Sequence, residues 1–300
     1  MDIQTNKISF SILMASYNSG KYIETAITSV ICQTFNRWEL IIIDDNSSDN
    51  SINLINNYLP DPRIKLLKHK INIGYGGTLK TAIEISQNEI IVILDADDKL
   101  HNEALKILAN EYRKNSKYGF IYSSMWKCDS ELKNCKLETH NPGESFIKNS
   151  NISHLKSFKR TAYFQTSGFD INQKRSVDKD IILKLEEVTD FKYLNKPLYY
   201  YRQHDAGISQ GNNSYFAKWY FFRAKYKTYL RRKNLEIPNY TKLKLLIEYL
   251  LLKNYHLINL FINIIISIRL SIFLNFLYAK LNKYGLRYFL KKFKEIFDFI

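Results

Sequence analysis

The chain has 300 residues, 45% of them hydrophobic and 14% aromatic, which excludes a disordered chain and allows a sizeable core in one large domain with an appendage or in two domains. Its net charge of +15 is unevenly placed: residues 211–300 hold 17 Lys and Arg against 4 Asp and Glu, for +13, while residues 1–210 carry only +2. The first part therefore reads as an ordinary, nearly neutral domain, and the second asks for an acidic partner such as lipid head groups, nucleic acid or another protein.

Residues 8–14 are apolar and rich in β-favouring types, which predicts a strand, and Ser16-Tyr17-Asn18-Ser19-Gly20 breaks it with turn chemistry. Over residues 22–33, Ile23, Ala26, Ile27, Val30 and Ile31 fall on one helical face. Residues 38–43 form a second apolar strand running into Asp44-Asp45-Asn46-Ser47-Ser48-Asp49, and a helix follows over 51–58 with Asp49 or Asn50 as its cap. A third strand spans 64–67. Gly74-Tyr75-Gly76-Gly77 reads as a flexible loop, 78–86 as a helix, and 90–94 as a fourth strand ending in Asp95-Ala96-Asp97-Asp98. Beyond it, 103–113 reads as a helix, 120–123 as a strand, and 127–150 as a polar, irregular, mobile loop. Residues 178–187 suit a helix with Ile181, Ile182 and Leu185 on one side, and 193–202 an aromatic strand interrupted by Pro197. Residues 215–300 read as helical throughout.

Strands alternating with helices predict βαβ units and a mainly parallel α/β sheet, and strands apolar along their whole length fit a sheet covered on both faces. Ligands of such sheets bind beyond the carboxyl ends of the strands. There the chain carries Ser16-Tyr17-Asn18, Asp44-Asp45-Asn46 and Asp95-Ala96-Asp97-Asp98, so the three polar clusters are expected to converge on one crevice. Three carboxylates at the end of a buried strand repel one another, and a divalent cation is the usual remedy; a plain polar turn is the alternative. The three cysteines, Cys32, Cys128 and Cys135, are odd in number and lack zinc spacing, which predicts a reducing compartment and no disulfide framework. The polar start of the chain lacks the apolar core of a signal peptide, which predicts a cytoplasmic protein.

In order along residues 8–210, SILMASYNSGKYIETAITSVICQTF, WELIIIDDNSSDNS, NIGYGG, IIVILDADD, SGFD, VDKDIILKL and YYYRQHDAGIS resemble a family 2 glycosyltransferase. The resemblance implies the GT-A fold, a Rossmann-like mainly parallel sheet flanked by helices, here followed by an α-helical C-terminal region. It implies transfer of a sugar from a nucleotide-diphosphate donor, UDP-linked where Asp45 accepts from a uracil, to an acceptor hydroxyl with inversion. By the same resemblance Tyr17 stacks on the base beside Ala15, Asp95 next to Ala96 faces the ribose, Asp97 reaches a Mn2+ or Mg2+ ion, and Asp98 lies near the metal or the sugar. His204 matches a further metal or diphosphate contact, and a nitrogen ligand favours Mn2+ over Mg2+. Asp178 matches the catalytic base, with Asp180 as its rival; helical spacing puts the two on different faces, so one of them points into the cleft. Relatives carry an Arg after the glycine segment where this chain has Thr78-Leu79-Lys80; Lys80 stands one residue later as the substitute diphosphate contact, or Gly74 and its neighbours allow close backbone approach instead. His154, Lys156, Phe158, Lys159 and Arg160 read as a basic-aromatic cluster for a phosphate-bearing or lipid-diphosphate acceptor, or as a solvated surface.

The domain division is thus 1–210, catalytic, and 211–300, basic and helical. In the latter, Leu286, Leu290, Phe293, Phe297 and Ile300 form an apolar stripe flanked by Lys283, Arg287, Lys291, Lys292 and Lys294, the pattern of a helix lying in a membrane interface. Residues 257–279 are long and apolar enough for a span, but Arg269 near the centre costs about 3 kcal/mol there, so a hairpin packed on itself or in the interface is favoured. The expected partners are a nucleotide-sugar donor, a glycan or lipid-linked acceptor and an anionic membrane surface at the inner face of the cell membrane, without nucleic acid; the helical region serves alternatively for homo-oligomer formation. Two rival functions stand beside glycan synthesis: a polyprenyl-phosphate sugar synthase and a non-catalytic nucleotide-binding scaffold.

Overall fold

The computed structural model describes residues 8–139, 146–149, 152, 154–204 and 214–253. The first half is built from β1 (Phe10–Ser16), α1 (Ile23–Ile31), β2 (Trp38–Asp44), α2 (Ser51–Asn56), β3 (Ile64–Lys68), α3 (Tyr75–Ile85) and β4 (Ile90–Ile93). Its four strands are all parallel, in the order β3-β2-β1-β4. Alternate residues of β1 serve opposite cores, as the two-residue period of a strand requires: Phe10, Ile12 and Met14 pack with Ile23, Ala26, Ile27 and Val30 of α1, and Leu13 packs with Leu79, Ala82 and Ile83 of α3. Each such side chain withdrawn from water contributes about 1.5–3 kcal/mol, so the two helices are pinned to the two faces. All four strands point their carboxyl ends the same way, and the three polar clusters lie at that end.

The second half comprises β5 (Lys99–Leu100), α4 (Ala104–Lys114), β6 (Tyr118–Cys128), β7 (Lys136–Glu138), α5 (Phe146–Asn149), β8 (Lys156–Lys159), α6 (Arg160–Phe164), α7 (Val177–Leu185), β9 (Asp190–Arg202), α8 (Ser214–Arg231) and α9 (Lys242–Lys253). The sheet continues β4-β8-β6-β9-β5; β8 is antiparallel to both its neighbours, and β9 runs parallel to β6. Pro197 sits where the β6–β9 register shifts, between the pairs Ser123–Leu194 and Ser124–Pro197. A residue without an N–H is tolerated at such a bulge. α8 is fastened to α7 and the loop before it: Gln173 Nε2 donates to Tyr220 O (2.6 Å) and Ser176 Oγ to Ala217 O (2.9 Å). The fully buried Arg232 reaches Glu186 and Glu187 at 3.1 and 3.0 Å. One compact unit accordingly runs to Leu245.

Three expectations are corrected. Gly76 and Gly77 belong to α3, not to a flexible loop: a Cβ on Gly76 would stand 3.0 Å from Asp170 O, so the glycine serves the close approach of the segment ahead of α7. Residues 127–150 are not irregular throughout: β6 runs on to Cys128, and β7 folds back on it from Met125–Glu138 to Lys127–Lys136. Cys128 and Cys135 form a disulfide across that hairpin, which counters the expectation of no disulfide; the turn that brings the two together is polar and carries no hydrophobic period to announce it. The apolar segment 257–279 and the basic stripe 283–300 lie outside the described residues. Among the described residues, no helix is long and apolar enough to cross a membrane.

Candidate active site

β1 delivers Tyr17 to the carboxyl edge, where it is 54% exposed, a flat ring open to a stacking partner. Ala15, at the end of the strand, is partly buried beneath it. Asn18 locks this turn to the next: its Oδ1 accepts from Ser48 N (2.9 Å) and its own N–H donates to Ser47 Oγ (2.9 Å). Asp44 is spent on the turn after β2, accepting from Ser47 N and Ser47 Oγ. Asp45, buried next to it, accepts from the backbone N–H groups of Ile73 (3.0 Å) and Gly74 (2.8 Å) and lies 2.8 Å from His69 Nδ1. Gly74 adopts φ +85° there, which suits a residue without Cβ at the start of α3. His69 is held at its other nitrogen by Thr81 Oγ1 (3.1 Å). A lone histidine in a charged stretch gave no sequence signal of that place.

Past β4, the buried Ala96 turns its two neighbours away from the core. Asp95 Oδ1 accepts from the Tyr75 hydroxyl (2.5 Å), and Asp95 Oδ2 lies 3.7 Å from His154 Nε2. Burial pushes the Asp95 carboxyl up to about 6 against the opposing charge of Lys156, with Asp97 adding to the rise. Asp97 Oδ2 lies 2.8 Å from His204 Nε2, and its carboxyl is about a third exposed. Asp98 is buried; its oxygens accept from the Tyr199 hydroxyl (2.8 Å) and from Arg202 N (2.7 Å), tying the acidic turn to β9. Burial, then the charges of Asp97 and Asp95, raise its carboxyl well above the ordinary range. Arg202 Nε also donates to Asp97 O (2.6 Å) and its guanidinium stacks 4.3 Å over Tyr22, so one arginine fixes the geometry of the whole turn.

A divalent cation needs carboxylate oxygens and, for Mn2+, tolerates imidazole. The structure brings Asp97 and His204 together, and sets ligand atoms of Asp95, Asp98 and His154 within 4.8 Å of one another. The donor set therefore suits such an ion, and His154 is a nitrogen the sequence reading had assigned elsewhere.

On α7, Asp178 and Asp180 diverge as helical spacing requires. Asp178 faces the carboxylate cleft and accepts from Lys156 Nζ at 2.9 Å. Burial alone would raise its carboxyl, but the Lys156 charge and hydrogen bond, with Lys179 and His154, hold it well below the usual carboxylate range. Asp180 is buried in the interior and paired with Lys184 at 2.7 Å. Lys80 is exposed and does not join the cleft; with Ser167, Phe169, Asp170, Lys227 and Arg231 it lines a depression of about 300 Å3 to which none of the cleft carboxylates contributes. The expected basic-aromatic cluster also disperses, because neighbouring residues of β8 point to opposite faces. Lys156 turns to Asp178, Lys159 to Ser116 O (2.6 Å) and Arg160 to Ser86 Oγ (3.2 Å), while Phe158 is core.

The sequence model of glycosyl transferase family 2 matches residues 11–181. A chondroitin synthase of Escherichia coli is 31% identical over 193 residues, covering 63% of this chain and 28% of that protein. The Escherichia coli UDP-Glc:alpha-D-GlcNAc-diphosphoundecaprenol beta-1,3-glucosyltransferase WfgD is 36% identical over 114 residues, 38% of this chain and 44% of that protein. The chain thus spans less than half the length of either relative. Among solved structures, S. aureus TarS in complex with UDP-GlcNAc superposes with a TM-score of 0.66 at 18% identity, covering 83% of this chain and 73% of that one. At that identity the likeness speaks for the fold, the mixed α/β sheet expected from the sequence.

Proposed function

Because the chain belongs to glycosyl transferase family 2, we propose that it moves a sugar from a UDP-sugar to an acceptor hydroxyl with inversion, in the synthesis of a bacterial surface glycan. The observation that carries this reading is Asp178, ionised and held in the cleft opposite Asp95 by Lys156. Tyr17 stacks on the base, Asp45 accepts from the uracil imide, and Gly74 lets the backbone approach closely. Asp95 holds the ribose. Asp97 and His204, with Asp98, would hold a Mn2+ or Mg2+ ion, which would supply positive charge against the leaving diphosphate. Asp178 takes the proton of the acceptor hydroxyl as its oxygen bonds to the anomeric carbon and the electron pair of the broken bond leaves on the diphosphate. Attack from the side opposite the leaving group inverts the centre. The relatives support a glycan or lipid-linked acceptor, since one is named a chondroitin synthase and the other for a diphosphoundecaprenol substrate. Residues 211–300, with their +13, bind the anionic inner face of the cell membrane or pair two copies of the chain.

The test is UDP release from a panel of UDP-sugars with Mn2+. Asp178→Asn is expected to lower turnover by about 10²–10⁴-fold while UDP binding, measured by calorimetry, stays within about twofold. Near-normal turnover in that variant sinks the assignment of the base. Chelation of divalent ions is expected to abolish release and Mn2+ to restore it; undiminished release after chelation would remove the metal from the scheme. Flotation of the full chain with anionic vesicles, compared with neutral ones, tests the membrane reading.

A further inference from the structure

Lys156 is the one residue of the dispersed basic cluster that enters the cleft. It opens β8, is 2% exposed, and donates to Asp178 Oδ2 at 2.9 Å. A buried ammonium without a counter-ion costs several kcal/mol or sheds its proton, so a lysine here needs a carboxylate. The same ammonium is the largest attractive influence on Asp95, the donor-side carboxylate at the end of β4. Its hydrogen-bond partner is the Asp178 carboxylate, which it reaches from β8 across the sheet-to-helix contact. Among the described residues, the groups facing Asp178 are Lys156 from β8, Lys179 from its own helix, His154 ahead of β8, Asp95 beyond β4 and Tyr75 from α3. Lys179 is drawn aside, its Nζ lying 4.3 Å over the Phe221 ring, and the Tyr75 hydroxyl donates its hydrogen bond to Asp95 Oδ1. Lys156 is the donor whose hydrogen bond to Asp178 the structure fixes at 2.9 Å.

We propose that Lys156 is a positioning residue for transfer: its buried ammonium fixes the Asp178 carboxylate in the cleft through the 2.9 Å hydrogen bond to Oδ2. This rests on the reading of Asp178 as the base. Two consequences follow from the geometry. A carboxylate at the first turn of a helix has several rotamers, and one strong charge-assisted bond selects the one that faces the acceptor. The second oxygen, Oδ1, is left to receive the acceptor proton.

The experiment compares Lys156→Met, Lys156→Arg and Asp178→Asn in the full chain. It reads UDP release from UDP-GlcNAc with Mn2+ as a function of pH, and the titration of the Asp178 carboxyl by NMR, assigned by its loss in Asp178→Asn. With Lys156 gone, burial is the dominant influence left on Asp178, so its proton is held more tightly and the base is ionised only at higher pH. Lys156→Met is expected to lower kcat by about 10–100-fold with KM for the donor within about threefold, and to move the acidic limb of the profile up by at least about one pH unit. Lys156→Arg keeps the charge and is expected to return the limb to its wild-type position; a residue needed only for folding would not produce that pattern. A silent Asp178→Asn with a Lys156→Met variant whose limb and Asp178 titration match wild type overturns the proposal and leaves the base standing. An Asp178→Asn variant that turns over normally overturns the base itself. Where wild type releases no UDP from UDP-GlcNAc, the NMR titration decides alone: an Asp178 titration unmoved by Lys156→Met overturns the proposal.

Discussion

In the parallel half of the sheet every residue of β2 is buried, and the β1–β2 register runs unbroken from Phe10–Trp38 to Ser16–Asp44. In the other half, most of β9 is only partly buried or exposed, and its register against β6 shifts three times. The first half is held by apolar faces and a backbone ladder, and its functional residues are turn residues at strand ends. The second is held by side chains that pair across long sequence distances: Arg202 with the acidic turn, Lys156 with Asp178, and Arg231 and Arg232 with Glu186 and Glu187. The proposed donor residues thus sit on a scaffold that packing fixes, and the proposed base on one that ion pairs fix.

The sharpest way to break that contrast is Arg232→Met. It removes the fully buried guanidinium from Glu186 and leaves Glu187 to Arg231 alone, and is expected to cost about 3–5 kcal/mol in urea unfolding. A loss below about 1 kcal/mol would show that packing, not charge, holds the second half as well. Next in size is Glu39→Gln, the polar exception within the first half. Glu39 on β2 accepts from Ser11 Oγ (2.6 Å), Lys65 Nζ (2.8 Å) and Gln87 N (2.8 Å). Burial raises its carboxyl, but these hydrogen bonds, Lys65 first, outweigh it and hold the group below its ordinary 4.5. A carboxylate lowered by folding contributes stability that is full above the unfolded value and lost as pH falls through the folded one. The gap between wild type and Glu39→Gln is therefore expected to be about 1–3 kcal/mol at neutral pH and to close on acidification below about 4.5. A gap that does not change with pH would mean the charge contributes nothing. Smallest is Ile42→Val in the middle of β2, at about 0.5–1.5 kcal/mol by thermal unfolding, with UDP binding unchanged.

The same contrast decides what could be read from the amino acids. The strands of the first half announce themselves as apolar runs, and each ends in the polar cluster that the sheet carries to its edge; Tyr17, Asp45, Asp95 and Asp97 stand at the edge for that reason. Asp178 was separable from Asp180 only as one of two faces of a helix, and it is the buried Asp180–Lys184 pair that shows which face is interior. His154, Tyr199 and Arg202 act on the acidic turn across more than fifty residues of chain, through hydrogen bonds and stacking that leave no period in the sequence. Lys80, one residue past the position where relatives carry the Arg, lies on α3 facing a separate depression rather than the carboxylates. The disulfide was illegible because a short polar hairpin is specified by the strand it extends, not by its own residues.

One detail of β9 reaches further. Its 13 residues run beside the 11 of β6, and the surplus is taken up at the register shifts around Pro197. At about 3.3 Å per residue, two residues amount to roughly 6–7 Å of slack stored in the strand. Tyr199 sits inside the last shift and Arg202 beyond it, so the strand reaches the acidic turn with its extra residues already absorbed. Because the period of a strand is two, the net surplus of two residues leaves the side chains on either side of the shifts on the same faces of the sheet.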